Sequence, residues 1–123
     1  MERIFFIIAA CSAFMAVAAG AFGAHGLQGR LDADLLAVFE IGVRYQMYHA
    51  IALIGVSFAC TQWPGKFVSA GGWLLVIGSI FFSGSLYLLS LTGMKGLGAI
   101  TPIGGMLLLA GWLCLAGGAL KSR

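Results

Sequence analysis

Apolar residues run through this chain in four long stretches, broken by single charges and short polar turns. Between the charged residues lie four charge-free windows: Ile4 to Gly29 (26 residues), Tyr45 to Gly65 (21), Phe67 to Met94 (28) and Gly96 to Leu120 (25). An α-helix rises ~1.5 Å per residue and the hydrocarbon core of a bilayer is ~30 Å thick, so about 20 apolar residues make one crossing. Each window reaches that length. The pattern predicts an all-α fold, a four-helix transmembrane bundle in a single domain over residues 1–123, with spans at about 4–22, 44–62, 67–91 and 102–120.

Turn-forming residues set the boundaries. The first helix is expected from about Ile4 to Phe22 or slightly beyond, with Ala9, Ala13, Ala16 and Gly20 spaced for close helix contact. Ala24 to Asp34 reads as the longest connection, with Asp32 or Asp34 as N-cap. From Ala33 to Gln62 the pattern stays helical for 30 residues, or ~45 Å, which exceeds the bilayer core. Either Ala33 to Val43 is an interfacial helix that bends near Gly42, or one long helix projects from the membrane. Trp63-Pro64-Gly65-Lys66 and Thr92-Gly93-Met94-Lys95-Gly96 are turns. Thr101 followed by Pro102 suits an N-cap and first turn, because proline lacks an N–H that would be unpaired there. The alternative is a helix that starts near Leu97 and kinks at Pro102.

Composition agrees with the pattern. Hydrophobic residues make up 61% of the chain and charged ones 9%, against roughly 25% charged in soluble domains, which excludes a water-soluble fold. The net charge of +3 comes from seven Lys and Arg scattered singly. They form no basic stripe, so no nucleic-acid partner is expected. Cys11, Cys60 and Cys114 each fall inside a span without metal or redox spacing, as small packing residues do. Arg3 and the run to Ala16-Val17-Ala18 resemble a secretion signal, but the apolar stretch outruns the roughly 7 to 15 residues of a signal core. An uncleaved first helix is expected. Four spans place both termini on one side, with Arg3, Lys66, Lys121 and Arg123 there and Arg30, Arg44 and Lys95 opposite. The charge balance favours cytoplasmic termini in a multi-pass cell (inner) membrane protein.

The unusual chemistry is on the second helix, at Glu40, Arg44, Tyr45, Gln46, Tyr48 and His49. Glu40 and Arg44 are four residues apart and can form an ion pair. Gln46 and His49 point to another side, so this stretch must lie at an interface or be surrounded by protein. Ionisable groups within a membrane cost roughly 2.5 to 3.5 kcal/mol at mid-bilayer, which makes them functional candidates. The competing reading is that Arg44 snorkels to the headgroups while Glu40 neutralises it. His25 and His49 without further ligands are a weak metal signal, and hydrogen-bonded histidines are commoner, so no metal or cofactor is expected. Ser79, Ser83, Ser85 and Ser90 share the third helix, where serines serve packing and interhelical bonds more often than nucleophilic attack. The chain therefore reads as non-enzymatic.

Four ordered motifs carry a resemblance: Gly20-Ala21-Phe22-Gly23-Ala24-His25-Gly26; Tyr45-Gln46 with His49-Ala50; Phe82-Ser83-Gly84-Ser85-Leu86-Tyr87-Leu88-Leu89; and Leu97-Gly98-Ala99 with Thr101-Pro102-Ile103-Gly104-Gly105. Together they resemble the YgdD-type membrane family, domain of unknown function 423, whose eukaryotic relatives include transmembrane protein 256. The resemblance spans nearly the whole chain and implies a small inner-membrane or plasma-membrane protein of about four helices. It implies no activity. The residues themselves suggest one binding cluster in the extracytoplasmic half, made of His25, Glu40, Arg44, Gln46, His49, Ser83, Ser85, Tyr87 and Thr101. That cluster would serve a lipid, a small ligand or a membrane-protein partner. The alternative is a small transporter or channel in which Glu40, Arg44 and His49 move protons or a solute.

Overall fold

The computed structural model describes residues 1–121, so Arg123, counted above in the charge balance, lies outside the described residues. Among these residues the chain is four helices and no strand: α1 (Glu2–Phe22), α2 (Ala33–Gln62), α3 (Lys66–Thr92) and α4 (Thr101–Lys121). Three helical segments are long and apolar enough to cross a membrane: Glu2–Leu27, Lys66–Thr92 and Lys95–Lys121. The α2 helix is longer than any of them, but Gln46 and His49 dilute its apolar face, and both are buried against neighbouring helices.

Two boundaries differ from expectation. The first helix does not stop at Phe22: Gly23–Leu27 continues it as a π turn, which leaves Gln28 to Asp32 as the connection. Gly23, Gly26 and His25 look like loop residues, yet the glycines are held by side chains. A Cβ on Gly23 would stand 3.0 Å from the Phe39 ring, and one on Gly26 would stand 2.9 Å from Phe22. The second difference is at α4, where Thr101 is the first helical residue rather than its N-cap. The Ile100 carbonyl accepts from Ile103 and Gly104, and a 3₁₀ segment at Lys95–Ala99 leads in. The Thr101 hydroxyl is thereby released to a partner on α3. Of the two forms open to α2, the structure has the single continuous helix over Ala33–Gln62. The α3 helix ends on Gly93 at φ 72°, a left-handed conformation that glycine adopts without strain.

In a lipid solvent apolar burial does not drive helices together, so close backbone approach and interhelical hydrogen bonds must. The tightest seam is α3 against α4. Gly71, Gly78 and Ser85 on α3 and Gly104, Gly111 and Gly118 on α4 recur every seven residues. A Cβ on Gly71 would lie 2.9 Å from the Gly111 carbonyl, and one on Gly104 would lie 2.8 Å from the Phe82 Cα. A strict seven-residue repeat keeps one face of each helix on its neighbour. Elsewhere α1 packs along α2 and α2 along α3, whereas α1 meets α3 through Phe5, whose ring presses on Gly72 and lies 5.2 Å from the Trp73 ring. Phe5, Ala9, Leu53, Val56, Leu75 and Leu108 form the core. Large apolar side chains such as Phe14, Val17, Ile80, Met106 and Leu113 point outward, as lipid contact requires.

Candidate site: a lateral groove between α1 and α3

Beside the contact of Phe5 with Gly72, an open groove of about 450 Å³ lies between α1 and α3, with Gln46 and Leu53 of α2 in its lining. Its walls are almost wholly apolar, among them Ile7, Cys11, Met15, Leu53, Val76 and Ile80. The polar residues of the lining are Ser12, Gln46, Ser79, Ser83 and Tyr87. The interval from Phe5 to Ser12 equals that from Gly72 to Ser79, so Ser12 and Ser79 stand at about the same depth on parallel helices, near the middle of α1.

Gln46 is the hub of the polar part. It is 8% exposed. Its Nε2 donates to the Ser12 carbonyl at 3.0 Å, and its Oε1 accepts from the Tyr87 hydroxyl at 2.5 Å. The carbonyl can only accept, so the amide orientation is determined and one side chain ties α1, α2 and α3 together. Tyr87 is further fixed by its ring, which lies over Gly42, where a Cβ would stand 2.9 Å away, and beside Phe39. Ser83 donates to the Gly42 carbonyl at 2.7 Å and closes the α2–α3 seam behind the groove. Ser79 differs from all of these: its Oγ is buried and has no hydrogen-bond partner. An unsatisfied hydroxyl in an apolar wall costs free energy unless something bonds to it.

The other candidate residues separate from this site. His49 bonds on the α4 side: Nδ1 faces the Tyr45 carbonyl at 2.8 Å and Nε2 accepts from the Trp112 indole N–H at 3.2 Å. An indole can only donate and a carbonyl can only accept, so these two partners select the neutral ring with its proton on Nδ1. Ser85 and Thr101 share a 2.6 Å bond between α3 and α4. Glu40 and Arg44 are exposed and not within 4.0 Å of each other, contrary to the expected ion pair. They line a separate recess with Gly20, Gly23, Phe39 and Val43. His25 is exposed on the π turn. The single cluster expected from sequence is thus three interhelical bonding sites and a charged recess, and only Gln46, Ser83 and Tyr87 of the nine residues line the groove.

Sequence reasoning missed three contributors. Ser12 participates through its main-chain carbonyl, which no residue pattern reveals. Trp112 is half exposed and reads as a lipid-facing aromatic. The glycine repeat was legible, as Gly104, Gly111 and Gly118 stand at a constant interval.

Comparison with known proteins decides the family. A family model described as protein of unknown function (DUF423) matches residues 19–105. The chain belongs to the DUF423 family. A UPF0382 membrane protein of Staphylococcus saprophyticus is 50% identical over 97% of this chain and 98% of its own length. The UPF0382 membrane protein YwdK of Bacillus subtilis is 44% identical over 97% and 98%, and one from Staphylococcus aureus strain bovine RF122 is 52% identical over 92% of each chain. No solved structure matches the chain. This DUF423 protein is accordingly an integral membrane protein.

Proposed function

We propose that the protein binds a lipid-soluble molecule, an apolar body carrying a hydrogen-bonding oxygen, in the groove between α1 and α3. The observation that carries this reading is the unpartnered Ser79 hydroxyl in an apolar groove of about 450 Å³. Pockets for small molecules fall at about 300–1,000 Å³, are mainly apolar, and hold a few polar groups that fix orientation. A ligand oxygen in the groove would satisfy the hydroxyl once the Ser79 side chain turns out of the wall, while the apolar remainder replaces lipid tails along α1 and α3. Binding needs no chemical step, which fits a non-enzymatic or accessory role.

The transport alternative has less support. Both ring nitrogens of His49 are engaged, and His49 bonds toward α4 whereas Glu40 and Arg44 line a recess against α1. In this reading α2 crosses the bilayer with the other three helices, and both termini are cytoplasmic. Reporter fusions at the C-terminus and within the Thr92 to Gly96 turn should give opposite signals; equal signals would overturn that topology.

Gly84 provides the test of binding. It lines the groove, and a Cβ there would meet nothing within 4 Å, as is also true of Gly55 outside the groove. Gly84→Phe should fill the groove without disturbing the helices and weaken binding of the fluorescent fatty acid cis-parinaric acid at least tenfold. Gly55→Phe should not. Ser79→Ala should weaken the same binding by roughly threefold to tenfold while leaving the ligand-free protein at least as stable as before, since it removes a buried hydroxyl that bonds nothing. Unchanged binding in Gly84→Phe would refute the groove as the site.

A further inference from the structure

The recess between α1 and α2 rests on observations independent of the groove. It measures about 260 Å³ and is walled by Gly20, Gly23, Phe39 and Val43, with Glu40 and Arg44 at its edge. Opposite charges four residues apart on a helix ordinarily attract. Here they do not close on each other, so both remain available to a third party.

Their order along the helix is informative. Val43 lies against Gly20 and Phe39 against Gly23, which places Glu40 nearer the Leu27 end of α1 and Arg44 deeper by four residues, or ~6 Å. The segment Glu2–Leu27 has 26 residues, ~39 Å against a core of ~30 Å, so ~4 to 5 Å projects at each end. The Arg44 backbone therefore lies below the hydrocarbon boundary and its guanidinium reaches up to the phosphate level. Glu40 starts near the boundary and extends outward.

We infer that this recess binds the headgroup of a zwitterionic amino-phospholipid. Arg44 holds the phosphate, which is the deeper charge of such a headgroup, and Glu40 holds the primary ammonium, which is the outer one. The guanidinium suits phosphate through paired N–H donors. The carboxylate supplies the selectivity, because it attracts an ammonium, repels an anionic headgroup that lacks one, and gains nothing from a neutral one.

Native mass spectrometry of the full chain, released from micelles holding equal amounts of dioleoyl phosphatidylethanolamine and dioleoyl phosphatidylglycerol, tests this. The wild type should retain the ethanolamine lipid over the glycerol lipid by roughly fivefold, the upper range for one exposed ion pair. Glu40→Gln should bring the ratio to about one while both lipids still bind, and Arg44→Gln should reduce retention of both. Circular dichroism confirms that these exposed substitutions leave the helices intact. An equal ratio in the wild type, or a preference that survives Glu40→Gln, would overturn the inference. Competition by soluble phosphoethanolamine at the same concentration would also overturn it, since the site would then be for a free metabolite and not a membrane lipid. Neither result bears on cis-parinaric acid binding in the groove, so the two sites stand or fall separately.

Discussion

Replacing Gly104 with alanine is expected to destabilise the bundle by about 1–3 kcal/mol, the usual range for overpacking a well-fitted contact. Alanine is otherwise the better helix former, by up to about 1 kcal/mol, so propensity acts in the opposite direction and must be overcome. The surroundings decide the sign. A Cβ at Gly104 would meet the Phe82 backbone nitrogen, the Phe82 Cα at 2.8 Å and the Gly78 carbonyl at 2.9 Å, and all three are main-chain atoms that cannot rotate away. The α3 and α4 helices would have to separate, which also stretches the 2.6 Å bond between Ser85 and Thr101 one turn away. Gly117→Ala on the same helix meets nothing within 4 Å and should be neutral or slightly stabilising. Titrating each purified variant with a denaturing detergent and following helix content gives the comparison. Equal midpoints for the two alanine variants would show that the glycine repeat does not hold α3 to α4.

The same contact explains what could be read from the sequence and what could not. Helix existence follows from bilayer thickness and the spacing of charges, which is why Ala33 to Gln62 could be bounded from sequence and matches α2. The α-helix ends at Phe22 as expected, but its continuation as a π turn to Leu27 was missed because Gly23-Ala24-His25-Gly26 has loop composition. What keeps it helical is tertiary: Phe39 and Phe22 occupy the space beside glycines that have no side chains. At Thr101 the local capping preference competes with an interhelical bond to Ser85, and the interhelical bond wins. In the membrane no water competes for that hydroxyl, so a partner on another helix outweighs a cap that the Ile100 carbonyl makes unnecessary.

The candidate site was legible by residue type but not by partner. Gln46, Ser83 and Tyr87 were identifiable because polar groups in an apolar helix require a reason. Grouping them with His49, Ser85 and Thr101 was an error of azimuth: Gln46 and His49 share α2, and Ser83, Ser85 and Tyr87 share α3, but His49 turns toward Trp112 and Ser85 toward Thr101 on α4. The Glu40 and Arg44 pairing failed for a related reason. Spacing of four residues permits an ion pair but does not compel one when both side chains are exposed and a pair is worth only a few tenths of a kcal/mol. The groove could not be anticipated, because it is lined by residues of α1, α2 and α3 whose relative placement no local pattern sets.

Gln46 and Tyr87 are expected to be coupled, and their coupling measures how far one polar bridge holds α1, α2 and α3 together. Gln46→Leu adds an apolar side chain to the least apolar of the four helices, which by itself eases insertion, yet it strands the Tyr87 hydroxyl, whereas the Ser12 carbonyl keeps its partner within α1. Leaving a buried group unpaired costs about 1–3 kcal/mol. Tyr87→Phe removes one bond and leaves Gln46 Nε2 on Ser12, so its cost should be smaller, about 1 kcal/mol. In the double variant the stranded hydroxyl is gone, so the combined loss should fall short of the sum of the two single losses. Interhelical bonds measured in membranes average about 0.6 kcal/mol and reach about 1.7. The short, part-buried contact here joins two uncharged groups in an apolar setting and should lie toward the upper end of that range. A double-variant cycle in the same detergent titration measures it. Strict additivity would mean that Gln46 and Tyr87 stabilise the bundle independently, and the polar bridge beneath the groove would then contribute nothing as a unit.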